Sequence, residues 1–209
     1  MRRIAFSSDR SGIPQIYVIN SDGTGLSRIS STPNYAGQSR WAPNGKSIAF
    51  TNLDPTVPEG DVFIVSPTGA NQTDLTNTPG VVDGAASWSP GSAKIAFETN
   101  RDGNFNIYEM NTDGSNPQRL TADPATDTGP LWSPRGDLIA FLSNRDGNYE
   151  IYVMKPDGSA QIRLTNSQAD ELDMTWSPDG ARIAFRSDRG GNADIYTVAA
   201  DGSGDMLSG

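Results

Sequence analysis

The tripeptide Ile-Ala-Phe occurs five times in this 209-residue chain, at Ile4–Phe6, Ile48–Phe50, Ile95–Phe97, Ile139–Phe141 and Ile183–Phe185, in steps of 44, 47, 44 and 44 residues. A Trp stands seven residues before each of the last four copies: Trp41, Trp88, Trp132 and Trp176. A repeat of roughly 40–45 residues, built of several short strands, is the mark of β-propeller blades. The repeated part is then scaffold, and function belongs to the loops it carries.

The last unit shows the pattern whole. Strand a is expected at Met174–Ser177, and Ser177-Pro178-Asp179-Gly180 suits a type I turn, with Ser first, Pro second and Gly fourth. Strand b follows at Arg182–Ser187. Its Ile183-Ala184-Phe185 is apolar on both faces, as a sheet sandwiched between two others requires, and the small Ala lets one neighbour approach closely. A polar hairpin, Asp188–Ala193, leads to strand c at Asp194–Ala199, then an Asp201-Gly202 turn and strand d near Met206-Leu207. The second unit diverges. Its Leu53–Gly60 hairpin is longer and holds two prolines, and Pro67-Thr68-Gly69 replaces the Asp-Gly turn. The first unit enters at strand b, and Gly209 leaves no residues after strand d to supply a missing strand a. The expected fold is therefore an all-β, five-bladed β-propeller of four-stranded antiparallel blades, the first lacking its innermost strand. It forms a single domain over 1–209, with blades at about 1–31, 32–76, 77–121, 122–165 and 166–209. A fragment of a longer propeller is the alternative. Unclosed edges would invite self-association.

Composition narrows the function. The net charge is −9, so phosphate backbones and anionic membranes are repelled and no nucleic acid is expected. There is no cysteine for disulfide or thiolate chemistry, and no histidine, the commonest general base and transition-metal ligand. No stretch of about 18 apolar residues exists, so no membrane-spanning helix is expected. Met1-Arg2-Arg3-Ile4 enters the repeat at once, without a secretory signal.

The run Trp-Ser-Pro-Asp-Gly…Ile-Ala-Phe…Ser-Asp-Arg…Ile-Tyr…Asp-Gly, whole at Trp176–Gly202, resembles the WD-like repeat of TolB-type β-propellers. The resemblance covers nearly the entire chain. It implies a propeller, a bacterial and extracytoplasmic (periplasmic or extracellular) setting, and binding of protein or peptide segments. The same repeat also serves as the propeller of serine peptidases and some polysaccharide lyases.

In such a blade the d–a and b–c connections share one face, and these are the longer, more varied loops. Five residues before each Trp stand Asp83, Asp127 and Glu171, but Ala36 in the second unit; Asp123, Asp170 and Asp173 add to the acidity. One reading is a carboxylate ring at the channel mouth, open to a basic peptide or Ca²⁺. The other is a set of pairs inside the blades. Arg101, Arg145 and Arg189 follow strand b wherever the acid is present, and Leu53 is read at that place in the unit where Ala36 replaces the acid. The pairs Asp83–Arg101, Asp127–Arg145 and Glu171–Arg189 are the favoured reading. Arg10, in the unit without strand a, is expected to lack a partner. The hairpins Asn100–Asn104 and Asn144–Asn148 are similar to calcium loops, but their twelfth positions, Asn111 and Lys155, are not the required Glu. No metal or other cofactor is therefore expected, Ca²⁺ at the channel mouth being the one reading the acids leave open.

No catalytic set emerges. Asp83 and Asp127 occupy equivalent repeat positions, whereas a glycosidase pair needs unlike environments. A serine nucleophile has no His and no Gly-x-Ser-x-Gly elbow. The Trp residues and Tyr17, Tyr108, Tyr152 and Tyr196 fit packing between blades, whereas Tyr35 and Phe105 lie in loops of the varied face. The expected function is a non-catalytic scaffold binding a protein or peptide through that face and the channel mouth. The residues assigned to it are Tyr35, Asp83, Phe105, Asp127, Asp170, Glu171 and Asp173. Alternatives are the substrate-gating propeller of a larger peptidase or lyase, and a self-assembling fragment.

Overall fold

The computed structural model describes residues 2–54, 56, 59–203 and the backbone of 207–208. Met1, the two hairpin prolines Pro55 and Pro58, Met206 and Gly209 lie outside the described residues.

Five antiparallel sheets stand in a ring around a central channel. Blade 1 holds β1 (Arg3–Ser8), β2 (Gln15–Asn20) and β3 (Ser27–Arg28). Blade 2 holds β4 (Tyr35–Trp41), β5 (Ile48–Asp54), β6 (Glu59–Val65) and β7 (Thr73–Asp74). Blade 3 holds β8 (Asp83–Trp88), β9 (Lys94–Thr99), β10 (Asn106–Asn111) and β11 (Gln118–Arg119). Blade 4 holds β12 (Asp127–Trp132), β13 (Ile139–Ser143), β14 (Glu150–Met154) and β15 (Ile162–Arg163). Blade 5 holds β16 (Glu171–Trp176), β17 (Arg182–Ser187), β18 (Asp194–Ala199) and β19 (Leu207–Ser208). Strands pair with their chain neighbours in every sheet, and blade 1 has three strands where the others have four. Among the described residues there is no helix.

The Ser177–Gly180 turn closes with Gly180 N–H donating to the Ser177 carbonyl at 2.9 Å, the bond a four-residue turn makes. The c–d turns need glycine for a second reason besides φ. Gly158 sits at φ +82°, and a Cβ there would lie 2.5 Å from the Leu120 carbonyl oxygen of the preceding blade.

Strand a of blade 5 begins three residues earlier than the sequence suggests, at Glu171 rather than Met174. The cause is a β-bulge. Glu171 and Leu172 pair with Ser187 and Arg186; the register then shifts, and Thr175 and Trp176 pair with Ala184 and Ile183. All four strands a carry the same shift. At its centre, three residues before each Trp, the backbone turns left-handed: Gln38 (φ 52°), Ala85 (47°), Gly129 (60°) and Asp173 (52°). A bulge kinks its strand and re-aims side chains; here it aims them at the axis.

Each blade seats its Ile and Phe on the preceding blade. Ile95 and Phe97 cluster with Ala49 and Val62, Ile139 and Phe141 with Ala96 and Ile107, Ile183 and Phe185 with Ala140 and Ile151. Full burial of each such side chain contributes about 1.5–3 kcal/mol. The Trp of strand a joins the same interface, and the indole N–H groups of Trp88 and Trp176 donate to Arg40 and Leu131 carbonyls one blade back, at 3.1 and 2.9 Å. At the ends of the series these faces are bare. Ile4 is 54% exposed and Ile195 56%, where their repeat equivalents, such as Ile48 and Ile151, are at 0%. Blade 5 therefore does not seat on blade 1 as the other neighbours seat on one another.

Candidate ligand-binding channel

The acids five residues before each Trp open strand a, paired opposite the end of strand b: Asp83 with Thr99, Asp127 with Ser143, Glu171 with Ser187. Each meets an arginine of its own blade. Arg101 Nη2 lies 3.1 Å from Asp83 Oδ1, Arg145 Nη2 3.0 Å from Asp127 Oδ1, and Arg189 Nη2 2.5 Å from Glu171 Oε1. Every one of these guanidiniums is held twice more. Its Nε donates to the Thr99, Ser143 or Ser187 hydroxyl, and it stacks on the Phe and Tyr of strands b and c, as Arg145 does on Phe141 and Tyr152. All three carboxylates are fully buried. Burial pushes the Glu171 carboxyl up, while Arg189 and Ser167 pull it back. Sealed carboxylates paired within a blade offer a ligand no surface, so Asp83, Asp127 and Glu171 do not form an open ring at the mouth.

The hairpin acids are tied up as well. Asp102 Oδ2 accepts the Tyr108 hydroxyl at 2.5 Å and sits 3.4 Å from Arg119; Asp146 accepts the Tyr152 hydroxyl and sits 3.3 Å from Arg163. Burial, followed by the Asp146 contact, pushes the Tyr152 phenol up to about 12.

The axis itself holds a cavity of about 410 Å³. The bulges build its wall: Gln38 and Arg40 from β4, Ala85 and Ala86 from β8, Gly129 to Leu131 from β12, Asp173 and Met174 from β16, with Leu142 of β13 behind. The strand-b residue after each Ile-Ala-Phe supports this wall. Thr51 Oγ1 donates to Gln38 Oε1 at 2.8 Å, Glu98 Oε2 accepts the Gly129 N–H at 2.8 Å, and Arg186 Nε donates to Asp173 Oδ2 at 2.8 Å. Burial pushes the Glu98 carboxyl above its ordinary value, and the Gly129 N–H offsets part of this.

Of the residues assigned to binding from sequence, Asp173 alone lines the cavity, with its side chain 73% exposed. Asp170 is exposed and accepts the Tyr149 N–H at 2.7 Å. Tyr35 is exposed, and its ring lies over Gly37, where a Cβ would come within 2.5 Å of it. Phe105 is half-buried, its carbonyl accepting Asp127 N–H at 2.9 Å. Sequence reasoning missed Gln38, Arg40, Glu98 and Tyr149. Tyr149 sits in blade 4 where Phe105 sits in blade 3, and its phenol is raised by burial, then by the charges of Asp170 and Glu98. The signal for Glu98 was present: Ser7, Thr51, Glu98, Leu142 and Arg186 vary directly after an invariant tripeptide.

The model of the TolB beta propeller domain family matches residues 58–158 and 130–207. The chain belongs to the TolB beta-propeller family. The Tol-Pal system protein TolB of Francisella tularensis subsp. tularensis (strain WY96-3418) is 30% identical over 116 residues, 54% of this chain and 26% of that protein. The crystal structure of TolB from Acinetobacter baumannii superposes with a TM-score of 0.83 at 22% identity, covering 99% of this chain and 52% of that one. A Mycobacterium tuberculosis puromycin-hydrolyzing peptidase gives 0.78 at 15% identity, over 99% of this chain and 35% of the peptidase. The chain thus spans about a quarter of the curated TolB relative and half of the Acinetobacter structure. At these identities the two structures share its fold alone.

Proposed function

We propose that this TolB-type propeller is a non-catalytic scaffold that binds a protein or peptide segment in its axial channel and across the d–a/b–c face. One observation carries the reading. The Ile-Ala-Phe and strand-a Trp positions are uniform where blades pack, and the repeat varies where it meets the channel: Gln38, Ala85, Gly129 and Asp173 at one level, Thr51, Glu98, Leu142 and Arg186 behind it. A rigid frame with a variable concave lining is what selective binding uses. The mixed charges of Arg40, Asp173, Arg186 and Glu98 suit an extended peptide that carries side chains of both signs. A periplasmic or extracellular location goes with this reading, as does the "Tol-Pal system" name of the curated relative. The likeness to a peptidase propeller supports a second reading, a substrate gate in a larger enzyme.

Panning a displayed library of short random peptides against the protein tests the first reading. Enriched peptides are expected to bind at least about tenfold more weakly to Glu98→Gln and Asp173→Ala variants that retain the wild-type melting temperature. No enrichment, or peptides indifferent to both changes, removes it.

A further inference from the structure

The charges around the axial cavity are met unequally. Asp173, on the lining, is bound by Arg186 Nε at 2.8 Å, and Glu98, behind the wall, accepts the Gly129 N–H at 2.8 Å. Arg40 is exposed on the same lining, and among the described residues no carboxylate pairs with it. Its counterpart in blade 3, Ser87, accepts the N–H of Trp132 in the following blade at 3.0 Å, so side chains at this position turn toward the next blade. The surroundings of Arg40 are therefore set by blades 2 and 3, and every residue lining the cavity belongs to blades 2 to 5. A guanidinium has five N–H donors and no acceptor, and its planar fork matches a carboxylate.

Gln38, two residues away on β4, is held so as to donate beside it. Its Oε1 accepts the Thr51 hydroxyl at 2.8 Å and the Ala85 N–H at 3.2 Å. A backbone N–H can only donate, so the carboxamide oxygen is the atom that faces Ala85, and the NH2 is the end left to the cavity. Among the described residues nothing accepts from that NH2. Pro130, Leu131, Leu142 and Met174 make much of the remaining lining. A concave, largely apolar wall with a few fixed polar groups is how a site orients its ligand, and a charge-assisted hydrogen bond gains strength as water is excluded.

We propose that Arg40 and Gln38 form a carboxylate-binding subsite on the β4 wall, and that the segment held in the channel is anchored there by an acidic group. The guanidinium supplies the charge, and the Gln38 NH2, fixed from behind by Thr51 and Ala85, supplies a second donor that orients the carboxylate. An Asp or Glu side chain and a free C-terminus offer the same chemistry. The inference rests on the channel reading for its occupant and adds to it the group that the β4 wall selects.

Three N-acetylated tripeptides serve as probes at one fixed ionic strength: Gly-Asp-Gly amide, Gly-Gly-Gly with a free carboxylate, and Gly-Asn-Gly amide. Binding is followed by nitrogen-edited NMR at the Gln38 NH2 and the Arg40 Nε–H. At least one acidic probe is expected to shift both signals saturably and to bind at least about tenfold more tightly than the Asn probe. Whichever acidic probe binds more tightly identifies the source of the carboxylate. Arg40→Gln, at an exposed position, is expected to keep the wild-type melting temperature and to bring the acidic probes down to the level of the Asn probe. Equal binding of all three, no shift, or shifts confined to other residues overturns the subsite. Panned peptides that weaken on Asp173→Ala but not on Arg40→Gln also overturn it, and leave the channel reading in place. Acidic probes that bind as expected while panning enriches nothing support the subsite and remove the channel reading for longer segments.

Discussion

Blades 2 and 4 share one backbone and solve the same electrostatic problem in opposite ways. Blade 4 pairs Asp127 with Arg145 and, one layer out, Glu150 with Arg163 at 2.8 Å. Blade 2 has Ala36 in place of Asp127 and, four residues after its Ile-Ala-Phe where Arg145 stands, Asp54 rather than the Leu53 read from the sequence; Asp61 and Asp74 take the second pair. The first exchange removes the buried carboxylate, Ala36 being fully buried, together with the arginine, and the acid that replaces the arginine accepts from Asn34 Nδ2 and from the Thr56 N–H and hydroxyl. The second exchange reverses one charge and sets two carboxylates side by side. Asp61 is served by the Thr76 hydroxyl and Thr78 N–H, Asp74 by the Thr76 and Asn77 N–H groups. Those hydrogen bonds do not cancel the burial. Desolvation first, then the charge of Asp74, raises the Asp61 carboxyl; desolvation, with a smaller push from Asp83, raises Asp74. A repeat therefore tolerates losing a buried pair whole more easily than losing half of it.

The largest test of this contrast is to break the blade 4 pair and then remove its cation as well, since blade 2 lacks both the acid and the arginine. Asp127→Ala alone strands the Arg145 charge and is expected to cost about 3 kcal/mol, lowering the melting temperature by roughly 6–12 °C. Adding Arg145→Leu is expected to recover a substantial part. A double variant as unstable as the sum of the singles would mean that the two side chains do not act as a unit.

The next test runs the other way. Asp74→Arg places in blade 2 the cation that Arg163 provides in blade 4, and it is expected to stabilise by about 0.5–1 kcal/mol at neutral pH, because the site is only partly buried. The pH profile sharpens it. Asp61 and Asp74 hold their protons more tightly folded than unfolded. Their contribution is therefore greatest below the ordinary value of 3.8 and declines as pH rises through the raised folded values. Melting curves across that range should fall less steeply for Asp74→Arg than for the wild type, and parallel curves would contradict the account.

A smaller test compares blades 4 and 5. The Trp176 indole donates to Leu131 O, whereas the buried Trp132 Nε1 has no hydrogen-bond partner among the described residues. Trp176→Phe is expected to cost about 1 kcal/mol more than Trp132→Phe in denaturant unfolding. Equal losses would show that the indole serves by its area alone.

Much of this was legible from sequence. Strands b and c of blade 5 fall where Arg182–Ser187 and Asp194–Ala199 place them, because a two-sided apolar strand and the turns around it are local facts. The joint absence of the acid, at Ala36, and of the arginine from the same unit pointed to contacts inside a blade, because both partners belong to one repeat, although Asp54 and not Leu53 holds the arginine's place. The channel was not legible. Gln38, Ala85, Gly129 and Asp173 share no chemistry, and only one of them is glycine, yet all four adopt left-handed backbone.

The chain's periodicity determined by itself that there would be five sheets, which faces would be apolar and which charges would meet, since each depends on residues a few tens of positions apart in one repeating unit. Where the inner strands bulge and which side chains reach the axis were decided only in three dimensions. Those features depend on how neighbouring sheets seat against one another, and no single repeat contains that information.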